Sequence, residues 1–266
     1  MPMRITRSLP REPAELDEPQ RFASARRAFR YAKRAVITLV TVAGVLAIAA
    51  GVLWFATPSA GEATQLAQQQ AREQHIAYPG PPVPANFARA LVATEDHRFY
   101  TEPGVDLIAV GRVIWGKIAG GGDQGGATID QQLAKMLYTP GQAGFGAELK
   151  QVVLAVKLNL AYPKQQLLGL YAEVAYYGQH YTGLEAASCG YFGRPAADLT
   201  VAQGAMLAGV VNAPSADDPV SDPANARARL EHVIGRMVAV GYLSQAQAKQ
   251  ALSAPLGVVA RSAAGC

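Results

Sequence analysis

A mainly α-helical domain of roughly 180 residues, carried behind a single N-terminal transmembrane helix, is the architecture this sequence predicts. Residues 35–56, AVITLVTVAGVLAIAAGVLWFA, contain no charge and would reach about 33 Å as a helix at 1.5 Å per residue, enough to cross a bilayer. From residue 84 onward the apolar pattern is helical almost throughout, beginning with Phe87 and Leu91 on one row that Glu95 completes at i, i+4, i+8. No run alternates as a strand does, and no internal repeat is present. With 266 residues, 50% of them hydrophobic, there is ample material for one sizeable core.

The elements follow in order. Residues 1–34 are a basic segment with Arg4, Arg7, Arg11, Arg21, Arg26, Arg27, Arg30, Lys33 and Arg34, and the flank after the apolar run is nearly free of cations. That asymmetry places the N-terminus in the cytoplasm and everything after Trp54 outside, at the plasma (inner) membrane. A cleaved signal peptide is the alternative, but both the basic region and the apolar run exceed its usual lengths. Residues 57–83 are polar and proline-ended and read as an extracytoplasmic stalk. The folded domain is expected over 84–255, with Asn86 as N-cap of its first helix and 256–266 as a tail. Further helices are expected at 106–119, 128–138, 147–160, 164–175, 183–190, 200–211, 223–240 and 244–252.

The net charge of +4 and pI near 9.1 come largely from the basic segment. They suit an anionic membrane surface and give no reason to expect nucleic acid. Two cysteines, Cys189 within a helix and Cys266 at the last position, are read as free thiols and not as a disulfide framework. His75, His97, His180 and His232 lack ligand spacing and read as surface or structural residues. No metal ligand set is therefore expected.

Two segments carry chemistry. In ATEDHRFYTEPGVD, residues 93–106, the row partners of Glu95 are core-type residues. Its carboxylate should then sit at the edge of a buried face, where proton transfer near neutral pH is feasible. The plainer reading is that Glu95 and Asp96 end a helix and pair with Arg98. In GGGDQGGATIDQQLAKMLY, residues 120–138, a glycine loop runs into a helix start at Thr128, whose free N–H groups favour an anion. An ordinary flexible loop before an amphipathic helix is the alternative. No GxxxxGK[ST] or GxGxxG occurs, so a nucleotide is not indicated.

Together these segments resemble something specific. Glu95-Asp96-x-x-Phe99 with Gly104 and Asp106, then Gln124-Gly125-Gly126-Ala127-Thr128-Ile129-x-Gln131-Gln132-Leu133-x-Lys135, resemble the first two motifs of the family 51 glycosyltransferases. These are the peptidoglycan polymerases found alone or as the first domain of class A penicillin-binding proteins. Leu170-Tyr171, Tyr176-Tyr177-Gly178, Gly183 to Ala187 and Tyr191-Phe192-Gly193 resemble the fourth motif. Leu207-Ala208-Gly209, Ala213-Pro214-Ser215, Pro223, Arg227 and Arg229 resemble the fifth.

The resemblance implies a lysozyme-like two-lobe glycosyltransferase fold and an enzyme that polymerises lipid II with release of undecaprenyl pyrophosphate. It assigns Glu95 as the catalytic base and places Asp96, Phe99, Gly125, Gly126, Thr128, Gln131, Gln132, Lys135, Lys150, Gln151, Tyr177 and Gly178 on the substrate side, with Lys135 at the pyrophosphate. Its implied partners are lipid II, the growing glycan strand, membrane lipid and cell-division or elongation proteins. Residues 107–119, LIAVGRVIWGKIA, are too short to span yet almost wholly apolar, and suit the family's membrane-dipping lobe; a helix buried in the core is the other reading.

The sequence also departs from the family. The third motif aligns on residues 147–159 and puts Gln151 where the family has a glutamate assigned to donor-side charge or to a divalent cation, Mg or Mn. No Lys or Arg occurs from 137 to 149. Glu102 replaces a His, Ala127 and Asp130 replace hydroxyl residues, Met136 and Glu173 replace Asn, and Gln203 replaces Glu. Lys150 and Lys157, seven residues apart on one helix face, are candidates to supply part of the lost charge. Besides a polymerase, two readings therefore stay open: a weakened or inactive relative that binds lipid II or a cell-wall synthesis partner, and a lysozyme-like glycan hydrolase. No SxxK followed by KTG is present, so cross-linking is expected to be left to other proteins.

Overall fold

The computed structural model describes residues 18–106, 108, 127–259 and 266, with side chains from residue 29 onward. It divides into two compact units, Met1–Phe55 and Ala56–Cys266. The first consists, where described, of helix α1 (Glu18–Ala56). Its most apolar stretch has a mean hydropathy of 2.6 over 18 residues, long and apolar enough to cross a membrane. The helix leaves Leu39, Ile48 and Phe55 exposed.

The second unit is helical, and among its described residues the only β pairing is an isolated bridge between Tyr176 and Thr182. Its helices are α2 (Ala63–Glu73), α3 (Ala85–Glu95), α4 (Ile129–Tyr138), α5 (Phe145–Ala161), α6 (Lys164–Val174), α7 (Leu184–Phe192), α8 (Val201–Val210), α9 (Pro223–Ala239) and α10 (Gln245–Ser253). The mainly α class and seven of the expected helical segments after the first motif appear as the periodicity predicts. The expected helix over 106–119, with the membrane-dipping segment it carries, lies outside the described residues except at 106 and 108.

Local chemistry sets the boundaries. Thr128, Thr200 and Ser244 each cap a helix through a reciprocal box with Gln131, Gln203 and Gln247, satisfying backbone donors that the helix itself cannot. Asp222 caps α9, whose first residue is Pro223. Gly193 closes α7 in the left-handed conformation.

Helix α8 is the hub. Its residues Ala202 to Val210 are all buried, and it packs against α3 and α9. A Cβ on Gly204 would lie 2.9 Å from the backbone of Asn86 and Phe87, so glycine is what allows α3 and α8 to cross so closely. On the other side α4 packs against α5 and α6. The end of α3 thereby meets the beginning of α4, where the first two motifs converge.

Three expectations need correction. Residues 57–83 are not a bare stalk: α2 lies within them and buries Ala63, Ala67 and Ala71 against α6 and α4. Small residues at i, i+4, i+8 allow close helix packing while the other faces stay polar, which is why the stretch looked like a linker. Asn86 is not the cap of α3. Pro84 precedes the helix, and the Asn86 amide instead donates to Leu199 O at 2.8 Å. Finally, Cys189 and Cys266 form a disulfide with Cα atoms 5.4 Å apart. The tail is brought back over α7 and α8 by Val259 N donating to Tyr191 O at 2.8 Å and Gln203 Nε2 to Leu256 O at 3.0 Å. A 77-residue separation carries no local pairing signal.

Candidate active site

Glu95 is the last residue of α3, and its side chain is only 8% exposed. Three elements supply donors to it. Gln132 Nε2 of α4 donates to Oε2 at 3.0 Å, and Asn212 Nδ2 donates to Oε1 and Oε2 at 3.1 and 3.0 Å. Arg229 of α9 pairs with Oε1 at 3.2 Å. The arrangement uses the four lone-pair sites of an ionised carboxylate and provides the opposite charge that a buried carboxylate needs.

A second ring of contacts orients these donors. Tyr171 OH donates to Gln132 Oε1 at 2.8 Å, which fixes which end of the amide faces Glu95. Burial, and after it the charge of Glu95, drives the Tyr171 hydroxyl far above its ordinary range, so it stays a donor. Arg229 Nε donates to Gly209 O at 3.2 Å and lies 3.6 Å from Asp217 Oδ2. The expected pairing of Arg98 with Glu95 and Asp96 does not occur; Arg98 pairs with Asp106.

The residues around the Glu95 end have divided roles. Asp96 is 6% exposed, and its Oδ2 accepts from Ile129 N at 3.1 Å, at the first residue of α4. Thr128 is buried as the N-cap of α4 and donates to Gly104 O at 2.7 Å. The Gln131 amide is spent in the capping box. Gln132 alone of this group reaches Glu95 directly. Lys135 is exposed and stands at i+3 from Gln132, on a neighbouring strip of the same helix.

Several residues assigned to the substrate are placed instead in the framework. Phe99 is fully buried beneath Lys164 Nζ, which lies 4.3 Å from its ring centroid. Tyr177 is fully buried and packs on Phe87 at 6.1 Å between ring centroids. Gly178 has φ 85°, and a Cβ there would meet Pro214 O and Tyr191 OH at 2.8 Å. Its role is to let the turn after α6 approach the turn after α8 that carries Asn212. Gly125 and Gly126 lie outside the described residues.

The third-motif region has no described carboxylate at its core position. Gln151 Nε2 of α5 donates to Thr139 Oγ1 at 3.0 Å, tying α5 to the end of α4. Lys150 is exposed. Lys157 is committed elsewhere, donating to Thr57 O at 2.9 Å and Pro58 O at 3.1 Å, so it is not a replacement donor-side cation. Among the described residues the one group of potential metal ligands is Glu185, Cys189 and Cys266, and its two sulfurs are joined to each other.

Asn212 is the contact to Glu95 that the sequence reading missed, and Tyr171 stood in the fourth-motif match without a role. The faint signal for Asn212 is its position between Leu207-Ala208-Gly209 and Ala213-Pro214-Ser215, and Arg229 stood in the matched fifth motif without a role. None of these is near Glu95 in sequence: Asn212 is 117 residues away and Arg229 134.

Comparison with known proteins shows the family. A family model described as Transglycosylase matches residues 61–238. The chain is 38% identical over 177 residues to penicillin-binding protein 1F of Bacillus subtilis, covering 66% of this chain and 25% of that one. It is 37% identical over 166 residues to penicillin-binding protein 1A of Mycobacterium tuberculosis, covering 61% and 20%. A protein of Cupriavidus necator named as a transglycosylase is 36% identical over 174 residues, covering 65% and 75%. The chain thus spans a quarter or less of these penicillin-binding proteins but three quarters of the Cupriavidus protein. Among solved structures, penicillin-binding protein 1A of Haemophilus influenzae is similar at 26% identity and a TM-score of 0.35 over 49% of this chain and 16% of that one. With the family model matched from the start of the second unit to the end of α9, the chain belongs to the transglycosylase family.

Proposed function

We propose that this chain is a membrane-anchored peptidoglycan glycosyltransferase that polymerises lipid II into glycan strands and releases undecaprenyl pyrophosphate. The observation that carries the reading is the Glu95 carboxylate, buried at a helix end and held by Gln132, Asn212 and Arg229. Arg229 supplies the opposite charge beside the carboxylate, and a general base acts from its unprotonated form. Asn212 is exposed, so its amide is the donor that an incoming sugar hydroxyl displaces. The hydroxyl then gives its proton to Glu95 as its oxygen attacks the anomeric carbon, and the pyrophosphate leaves with the bonding electrons. Lys135 is the cation assigned to that leaving group. A divalent cation, Mg or Mn, remains a candidate partner for the pyrophosphate, although the side chain at 151 is an amide and not the carboxylate such an ion prefers.

The domain is assigned to the extracytoplasmic side of the inner membrane, with residues 1–34 in the cytoplasm. The charge asymmetry around α1 supports this, and so does the Cys189–Cys266 disulfide, because such bonds persist in oxidising compartments. A second reading, lipid II binding with weak or no turnover, is favoured by one observation: the Gln151 amide is used up on Thr139, where a carboxylate would face the donor. Purified full-length protein with labelled lipid II, and separately with finished glycan strands, tests both. Polymer supports the transferase, binding without polymer the second reading, and shortened strands would show a hydrolase instead.

A further inference from the structure

Beside the Glu95 end lies a cluster of charged side chains that the catalytic reading does not use. Four carboxyl groups, Asp96, Glu102, Asp106 and Asp130, gather there with the cations Arg98 and Lys164. Arg98 pairs with Asp106. Lys164 Nζ of α6 lies 2.8 Å from Asp130 Oδ2 of α4, and Asn159 Nδ2 of α5 reaches the same oxygen at 3.5 Å. Asp96 and Glu102 are left without a salt bridge among the described residues, although they are 6% and 9% exposed.

Glu102 is the anomaly. Both its oxygens are buried and meet no hydrogen-bond donor among the described residues, and the Asp96 carboxyl adjoins them. Its backbone is fixed on both sides, with N donating to Arg98 O at 3.1 Å and O accepting from Asn159 Nδ2 at 3.5 Å. Two ionised carboxylates offer only acceptors and repel each other, and leaving both desolvated is costly. A proton between them turns the repulsion into a charge-assisted hydrogen bond.

We propose that Glu102 and Asp96 share one proton, Glu102 O–H donating to the Asp96 carboxylate, and that this pair is a positioning device for the active site. Asp96 adjoins Glu95, and its other contact holds the N–H of Ile129 at the start of α4. That helix presents Gln132 to Glu95, so the shared proton locks the donor helix in register with the base. Burial first, and then the adjoining Asp96, push Glu102 up to about 8, while Lys164 opposes and Asp106 adds to the rise. Burial also raises Asp96. The pair titrates as a unit, and its last proton leaves in the mildly alkaline range. The family's usual histidine at 102 is replaced here by a residue that does this only when protonated. The proton sharing is argued from the burial of both carboxyls and from the two Glu102 oxygens that meet no donor among the described residues; its effect on turnover rests on the glycosyltransferase reading.

Full-length wild type, Glu102→Gln and Glu102→Ala in detergent micelles provide the test. Glutamine is a permanently neutral donor of the same size, so it should preserve the contact. Because the native state of the wild type holds a proton that the unfolded chain has lost, its stability relative to Glu102→Gln should fall as pH rises between about 4.5 and about 8. The slope should approach a tenfold change in the unfolding constant per pH unit. Hydrogen exchange at the start of α4 should lose protection above about pH 8 in the wild type, stay protected in Glu102→Gln, and be unprotected throughout in Glu102→Ala. Polymerisation, where present, should follow the same order. Parallel stability profiles for wild type and Glu102→Gln would overturn the shared proton. Unchanged protection of α4 in Glu102→Ala would overturn the positioning role. Lack of polymer in every form would count against the transferase reading alone, because stability and exchange decide the inference without it.

Discussion

Glu95 illustrates how far a single side chain depends on its neighbours for its chemistry. Its carboxylate meets three donors, so Glu95→Gln keeps the size and much of the bonding while removing proton acceptance. Polymerisation should fall by roughly 100-fold or more, with folding retained; steady-state turnover with labelled lipid II measures the first and circular dichroism the second. Gln151 makes the complementary test. Gln151→Glu should raise turnover if the donor side merely lacks its carboxylate, and a variant no faster than wild type would show that the Gln151–Thr139 contact belongs to a remodelled site. Lys135 is exposed and well placed beside Gln132. Lys135→Ala should cost about 2 to 4 kcal/mol of transition-state stabilisation, read from kcat/KM.

At the scale of elements, the site depends on how closely helices pack. Gly204 lets α8 approach the first turn of α3, where an added Cβ would lie 2.9 Å from backbone atoms that cannot rotate away. Gly204→Ala should therefore destabilise the domain by about 1 to 3 kcal/mol, measured as a lower midpoint of thermal unfolding. Because α3 ends at Glu95 and α8 leads to Asn212, the same variant should weaken turnover more than a comparable loss of stability elsewhere. Helix α2 shows the same economy. Its alanine stripe Ala63, Ala67, Ala71 lets it lie against the domain, and Tyr138 OH reaches back from α4 to Ser59 O and Ala60 O at 3.1 and 3.2 Å.

For the whole molecule, the disulfide and the apolar helix α1 each carry a prediction. The Cys189–Cys266 bond joins positions 77 residues apart, and removing so long a loop constraint should cost about 2 to 4 kcal/mol. Cys266→Ser, or reduction of the wild type, should lower the unfolding midpoint accordingly. A reporter fused after Cys266 should be active only outside the cytoplasm. Activity confined to the cytoplasmic side would overturn the orientation and, with it, access to the proposed substrate.

Period and local chemistry were legible without a structure. The uncharged run at 35–56, the apolar rows of α3 to α10 and the helix start at Thr128 follow from contacts within four residues, so the helical class and most helix positions could be read from the chain. It also marked Glu95, Gln132 and Arg229 through their motifs. Meetings between distant residues came from the fold. Asn212 comes to Glu95, Glu102 faces Asp96, Lys157 goes to the Thr57 carbonyl, and Cys266 returns to Cys189. Phe99 and Tyr177 proved to be core for the same reason. A side chain's partner across a core depends on where whole helices cross, and that depends on small residues such as Gly204, Gly178 and the α2 alanines, whose effect on packing no local pattern in the chain reveals.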